Sequence, residues 1–188
     1  MHRERLAAPT PRSPVAALAA AALLACVPLA LADGGAPVGA KSPLPCIGPE
    51  FHQFDFWIGE GNVTTLDGKH AGWNLIKREL GGCVLTESWT GASGSIGRSF
   101  NISTPTDGKW HQTWVDSRGL LLQLTGGLVD GDMVMTGDTL EAQGRRVMNR
   151  ITWHKIDDDH VRQIWDQSNG NGAMWTVVFL GVYSRKQL

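Results

Sequence analysis

From about residue 57 onward the chain is a succession of short segments in which apolar and polar residues alternate, punctuated by Asp67-Gly68, Asp107-Gly108 and Asp130-Gly131. An Asp-Gly pair between two alternating segments favours a tight hairpin, because glycine takes up positive φ freely. The pattern predicts ten strands: 57–66, 71–80, 83–90, 96–103, 109–117, 120–129, 133–140, 146–156, 160–167 and 173–183. The loops between them are short, and parallel crossovers need a dozen residues or more, so neighbours must run antiparallel in an up-and-down meander. An open sheet of that length would expose two long edges, and closing it removes them. The expected fold is therefore all-β, an antiparallel up-and-down barrel of about ten strands. A two-sheet sandwich would call for longer Greek-key connections. Eight strands are just filled by side chains, and somewhat more leave space for a ligand.

The run Phe54-Asp55-Phe56-Trp57-Ile58-Gly59-Glu60-Gly61 leads into the first strand as an apolar clasp, and residues 50–56 fit one helical or 3₁₀ turn ahead of it. Upstream, Arg3, Arg5 and Arg12 precede an apolar stretch from Val15 to Leu31 that is broken by Pro28. Ala30-Leu31-Ala32 offers a small-x-small cleavage site, so residues 1–32 read as a signal peptide rather than a membrane anchor. Leu23-Leu24-Ala25-Cys26 also fits a lipobox, which would leave Cys26 acylated, although the apolar residues after it are unlike a lipoprotein tether. Residues 33–49, with Gly, Ala and Pro throughout, read as a flexible leader, and 50–188 as one domain. The expected location is periplasmic or secreted.

Export makes the cysteine count informative. Loss of Cys26 with the signal leaves Cys46 and Cys83, an even pair in an oxidising compartment, and a disulfide between them is expected. The signal also carries away three Arg and one Glu. The 17 basic and 18 acidic residues then become 14 and 17, a net charge of −3 with His neutral. No broad basic field is left to attract nucleic acid or an anionic membrane, and no membrane span is expected in the domain.

The period of two assigns candidate site residues. Trp110, Gln112, Trp114 and Asp116 share one face of their strand. Cys83, Leu85, Glu87 and Trp89 share another, Val161, Gln163, Trp165 and Gln167 a third, and Trp175, Val177 and Phe179 the last. Indoles favour burial, so these faces should point inward and carry their carboxylates and amides with them. Buried carboxylates need donors, and Arg150, an indole N–H, Gln112 or Gln163 are the candidates for Glu87 and Asp116. Two readings of such a network stay open: a lattice that fixes strand register, or the polar floor of an aromatic-lined pocket.

Metal and nucleophile signals are weak. His52, His70, His111, His154 and His160 are scattered without a His-x-His, Cys-x-x-Cys or His-Glu-x-x-His spacing, and no serine sits in a Gly-x-Ser-x-Gly elbow. No metal site, no catalytic residue and no cofactor is assigned.

Several words along 50–185 resemble an uncharacterised bacterial family of secreted calycin-like proteins. They are Phe54-x-Phe56-Trp57-Ile58-Gly59, Gly82-Cys83-x-x-x-Glu87-x-Trp89, Trp110-x-Gln112-x-Trp114-x-Asp116, and the late Trp165, Ser168, Gly172, Trp175 and Tyr183. The resemblance implies a barrel akin to lipocalins, fatty-acid-binding proteins and nitrobindins, and it implies no established activity. Gly61 stands where such barrels often carry the Trp of a Gly-x-Trp motif, so the resemblance does not fix how the base is plugged or how deep a pocket runs. No C-terminal His is placed like a nitrobindin haem ligand, and haem is not expected.

These features together point to an exported barrel binding a small, partly apolar molecule. Trp89, Trp114, Trp165 and Trp175 are expected to line the pocket, and Glu87, Gln112, Asp116, Gln163 and Arg150 to orient the ligand. Two alternatives use the same residues differently: an isomerase or hydrolase with Glu87 or Asp116 as acid or base, and a packed module with no cavity.

Overall fold

A computed structural model describes residues 46–140, 144–169 and 172–186. The expected signal segment, the Cys26 lipobox and all but the last few residues of the leader lie outside them. Within the described residues ten strands form one closed antiparallel barrel: β1 (Gly59–Thr64), β2 (His70–Glu79), β3 (Val84–Gly91), β4 (Ile96–Thr104), β5 (Lys109–Asp116), β6 (Leu121–Val129), β7 (Asp132–Leu140), β8 (Arg146–Lys155), β9 (His160–Ser168) and β10 (Thr176–Arg185). Each strand pairs with its sequence neighbours, and β1 closes on β10 through Gly61 opposite Arg185, Asn62 opposite Ser184, Val63 opposite Tyr183 and Thr64 opposite Val182. The up-and-down barrel read from the sequence is the fold.

The turns follow the glycines, but of the three Asp-Gly pairs only Asp130-Gly131 makes a two-residue turn; Asp67-Gly68 lies in the longer connection 65–69 between β1 and β2. Asp130 and Gly131 both have positive φ (52° and 92°) and alone join β6 to β7, as a two-residue turn requires. Asp107-Gly108 is not a two-residue turn. It closes a longer loop in which Gly108 (φ 68°) donates its N–H to Thr104 O. Pro105, which has no N–H to give a ladder, takes up the extra length.

One end of the barrel is plugged. The lead-in chain makes two 3₁₀ turns, Pro49–His52 and Asp55–Trp57, and carries Phe51, Phe54 and Trp57 into burial. Phe54 stacks on Trp57 with centroids 4.8 Å apart and meets Trp110 and Trp153 edge-on at 5.7 and 5.1 Å. Leu85, Leu122, Leu124, Met133, Met135 and Ile151 pack around these rings. Phe54 and Trp57 thus plug the base from outside the strands. Polar contacts hold the arm in place: Arg78 donates to Gly82 O and Phe51 O and pairs with Asp55, Trp110 Nε1 donates to Gln53 Oε1, and Arg185 donates to Phe56 O.

Cys46 and Cys83 form a disulfide, tying the start of this arm to the foot of β3. A cross-link spanning 37 residues removes unfolded-chain entropy worth about 3–4 kcal/mol. The Cys46→Ala/Cys83→Ala double variant should lose about that much unfolding free energy in denaturant titration. A loss below about 1 kcal/mol would mean that the plug holds the arm without it.

Candidate ligand-binding site

At the end opposite the plug the barrel opens into a cavity of about 300 Å³. The volume lies at the lower end of the range for small-molecule pockets. Its walls are Trp89, Trp114, Trp165 and Phe179; Glu87, Gln112, Gln163 and Tyr183 contribute its polar surface, and Asp116 and Arg118 belong to the same lining. Seven of the nine residues singled out from the sequence thus converge on one cavity: Glu87, Trp89, Gln112, Trp114, Asp116, Gln163 and Trp165.

The other two do not. Arg150 lies opposite Asp166 across β8 and β9, donates to Asp166 Oδ2 at 3.2 Å, and stacks 4.3 Å from the centroid of Trp175. Neither Arg150 nor Trp175 borders the cavity. The expectation that Arg150 partners Glu87 and that Trp175 lines the pocket is overturned for a local reason. Inward residues of β8 are Val147, Asn149, Ile151 and Trp153, and Arg150 falls out of phase with them. On β10 a bulge between Val177 and Phe179 breaks the alternation, so Val177 opposes Asp166 while Phe179 opposes Trp165 and turns inward. A bulge reverses which residues share a face, and phase counted back from Phe179 to Trp175 fails across it.

Glu87 is the centre of the buried polar network. Its Oε1 accepts from Asn74 Nδ2 at 3.0 Å and its Oε2 from Ser99 Oγ at 2.8 Å. Ser99 Oγ in turn accepts from Asn101 Nδ2 at 3.0 Å, and Asn101 Oδ1 accepts from Gln112 Nε2 at 2.7 Å. The register creates this chain: Glu87 lies opposite Ser99, and Asn101 opposite Gln112, so β2, β3, β4 and β5 each contribute inward polar groups. Across the barrel Tyr183 Oη donates to Gln163 Oε1. Trp165 Nε1 and Gln167 Nε2 both donate to Asn149 Oδ1, at 2.9 and 3.0 Å.

Asn74, Ser99, Asn101, Asn149 and Tyr183 were not assigned from sequence. The first four are short polar residues that look like surface positions, and only pairing with inward neighbours reveals them. Ser99 and Asn101 are 1% and 0% exposed, whereas Phe100 between them is 57% exposed. The sequence signal that could have found them is their period of two with Gly97 and Ser103, set against Glu87 and Gln112 on the strands either side.

Burial pushes the Glu87 carboxyl up to about 7, against the opposing pull of the hydrogen bonds from Ser99 and Asn74. Burial likewise raises the Tyr183 phenol well above its usual value, and the nearby Glu87 charge adds to the rise. Asp116 behaves oppositely. Its partial desolvation, which alone would raise it, is outweighed by hydrogen bonds from the Leu120 and Arg118 amides and the Arg118 guanidinium, and it stays below the ordinary carboxylate range. Asp116 is thus a loop clamp, ionised and occupied, while Glu87 is a carboxyl that changes charge near neutrality.

Two glycines make room for the indoles. A Cβ at Gly97 would meet Trp114 Cη2 and Cζ2 at 2.2 Å, and one at Gly72 would meet Trp89 Cη2 at 2.6 Å. Among the described residues no group of three His, Cys, Asp or Glu side chains is placed to hold a metal ion. His154 pairs with Asp132 and His160 with Asp157, each half-exposed. Compared with known proteins, the chain matches no protein-family model and no curated relative.

Two outcomes follow from this geometry. The folded state holds the Glu87 proton more tightly than the unfolded chain does, so the stabilisation is complete below about 4.5 and is lost as pH rises through about 7. Wild type should therefore lose about 3 kcal/mol relative to Glu87→Gln between pH 4.5 and 8, read from paired urea melts. Parallel pH profiles for the two proteins would contradict a raised carboxyl. Separately, Gly97→Ala should cost about 1–3 kcal/mol by forcing Trp114 to move. Gly127→Ala on β6, where a Cβ would meet nothing within 4 Å, should cost little by the same melting assay.

Proposed function

We propose that this is an exported small-molecule-binding barrel whose open end takes a small, partly apolar ligand. The observation that carries the reading is the cavity itself, plugged at one end by aromatic rings and lined near the other by three indoles and a hydrogen-bonded carboxyl. A few oriented polar groups among aromatic walls are the usual make-up of a ligand site. A barrel whose only task was structural would gain stability by filling the space, since unfilled volume forfeits packing. The residues proposed to contact the ligand are Glu87, Trp89, Gln112, Trp114, Gln163 and Trp165, with Asp116 at the loop that borders it.

Kinship with the secreted calycin-like barrels belongs to the same proposal and rests on the sequence words together with the ten-strand closure. Export, with residues 1–32 removed and 33–49 as leader, is supported by the Cys46–Cys83 bond, which persists in oxidising compartments. No helix among the described residues is long and apolar enough to cross a membrane. The barrel's outer wall mixes exposed Lys77, Arg98 and Gln123 with exposed Trp73, Phe100 and Leu121, unlike the continuous apolar band of a lipid-facing barrel.

One observation favours a second reading, proton-transfer catalysis. A carboxyl with a value near 7 inside a cleft is what general acid–base chemistry uses. Glu87 would be the group, since Asp116 is committed to its loop.

Native mass spectrometry of protein isolated from its own export compartment tests the proposal. A retained small molecule that dissociates on unfolding, and that quenches tryptophan fluorescence when added back, is the expected result. In Glu87→Gln a binding protein stays folded and loses affinity, whereas an enzyme keeps ligand and loses turnover. A barrel that retains nothing and whose fluorescence responds to no member of a small-molecule panel would point to the packed module.

A further inference from the structure

Resting on the pocket proposed above, the geometry points to one class of ligand: we infer that the cavity takes a protonated amine on an apolar body, its ammonium seated at Glu87 and its body against the indoles of Trp89, Trp114 and Trp165.

Glu87 heads a chain of buried amides and a hydroxyl. Both carboxylate oxygens already accept hydrogen bonds, one from Asn74 and one from Ser99, and Ser99 is itself held by Asn101 and Gln112. All four side chains are neutral. An ionised carboxylate has about four acceptor sites, so two remain for incoming donors. Among the described residues no Lys, Arg or His is hydrogen-bonded or ion-paired to Glu87. The cation in the lining, Arg118, is bound to Asp116 and has a largely exposed side chain. The interior thus arranges donors around a buried negative charge and supplies no positive one. An uncompensated buried charge is costly, and a ligand cation removes that cost.

The walls agree with the floor. Four indoles, Phe179 and Tyr183 line a single cavity, and the faces of aromatic rings attract ammonium groups, most strongly where water is excluded. An anionic ligand would meet the Glu87 carboxylate, the ionised Asp116 and the negative ring faces together. A neutral ligand would gain the apolar contact but leave the carboxylate uncompensated. Asn74 Oδ1, on the amide that donates to Glu87, is also buried without a hydrogen-bond partner.

Binding of the amine favours the ionised carboxyl and therefore expels the Glu87 proton at and below neutral pH. The groups that bear on this titration are Tyr183 from β10, Asn74 from β2, Ser99 from β4, Gln112 from β5 and Gln163 from β9, with the Asp116–Arg118 pair also in the lining. Of these, Asp116 titrates below the range concerned and Tyr183 above it.

Three probes of similar shape separate the possibilities: 2-phenylethylamine, 2-phenylethanol and phenylacetate, titrated into the folded protein by calorimetry and tryptophan fluorescence. At pH 8 the amine should bind at least about tenfold more tightly than the alcohol, with phenylacetate weakest. Lowering the pH from 8 to 5.5 should weaken the amine by more than about tenfold while leaving the alcohol nearly unchanged, because the amine stays protonated and Glu87 does not stay ionised. Calorimetry near pH 7 in buffers of different ionisation enthalpy should register proton release. In Glu87→Gln the preference for the amine over the alcohol should vanish. Should that variant fail to fold, the pH dependence and proton release of the wild type decide the matter.

Equal affinities for the three probes, or a preference for the alcohol or the acid, would overturn the amine assignment and leave the pocket in place. Failure of all three at millimolar concentration, with a neutral or anionic molecule retained in native mass spectra, would do the same. Failure of all three with nothing retained would overturn the pocket and the amine assignment together.

Discussion

The stack of Phe54 on Trp57, braced edge-on by Trp110 and Trp153, is the contact on which the rest of the barrel depends. Closing ten strands makes an interior wider than ordinary side chains readily fill, and something must occupy it. The lead-in segment supplies that bulk at one end only. It thereby fixes which end of the barrel is solid and which is open, and it brings β1 to the seam where it meets β10. The disulfide at Cys46 and the Arg78 and Arg185 bonds to backbone carbonyls hold the segment against its own chain entropy.

With the base filled, the open half carries the chemistry. Polar residues there face inward on four successive strands, and the sheet's register turns them into a chain of hydrogen bonds ending on Glu87. That chain satisfies the carboxyl while leaving its charge uncompensated. The two consequences are linked: burial lifts the group to about 7, and the same burial makes a counter-charge valuable. In the proposed amine complex, proton and ligand cation compete for one site, which would make this pocket sensitive to pH in a way that an all-apolar barrel would not be.

Strand β4 shows where reading the sequence succeeds and where it stops. Its alternation is plain, and so are its limits at Ile96–Thr104. The bulkier apolar set, Ile96, Phe100 and Ile102, faces out, while Gly97, Ser99, Asn101 and Ser103 face in. Hydropathy alone would turn this strand over. Its orientation is imposed by neighbours: Ser99 must oppose Glu87, Asn101 must oppose Gln112, and Gly97 must leave space for Trp114. On β3, β5 and β9 the indoles marked the inward face correctly, because a Trp in phase with a carboxylate or amide is a strong signal of burial.

Beyond a cysteine count that pointed to the Cys46–Cys83 pair, the sequence by itself determined the number of strands, their antiparallel order, their closure into a barrel and an inward phase that puts seven of the nine residues singled out on one cavity. Those are local quantities, set by alternation, turn chemistry and the preference of indoles for the interior. Tertiary structure decided the rest. A single bulge at Val177–Phe179 left Phe179 on the cavity, as expected, and sent Val177 and Trp175 away from it. Pairing across β8 and β9 gave Arg150 to Asp166 and left Asn74 and Ser99 as the partners of Glu87. Whether the barrel holds a cavity was likewise beyond the pattern, because the volume that remains depends on how deeply Phe54 and Trp57 enter from outside the strands, and no spacing within the strands encodes that depth.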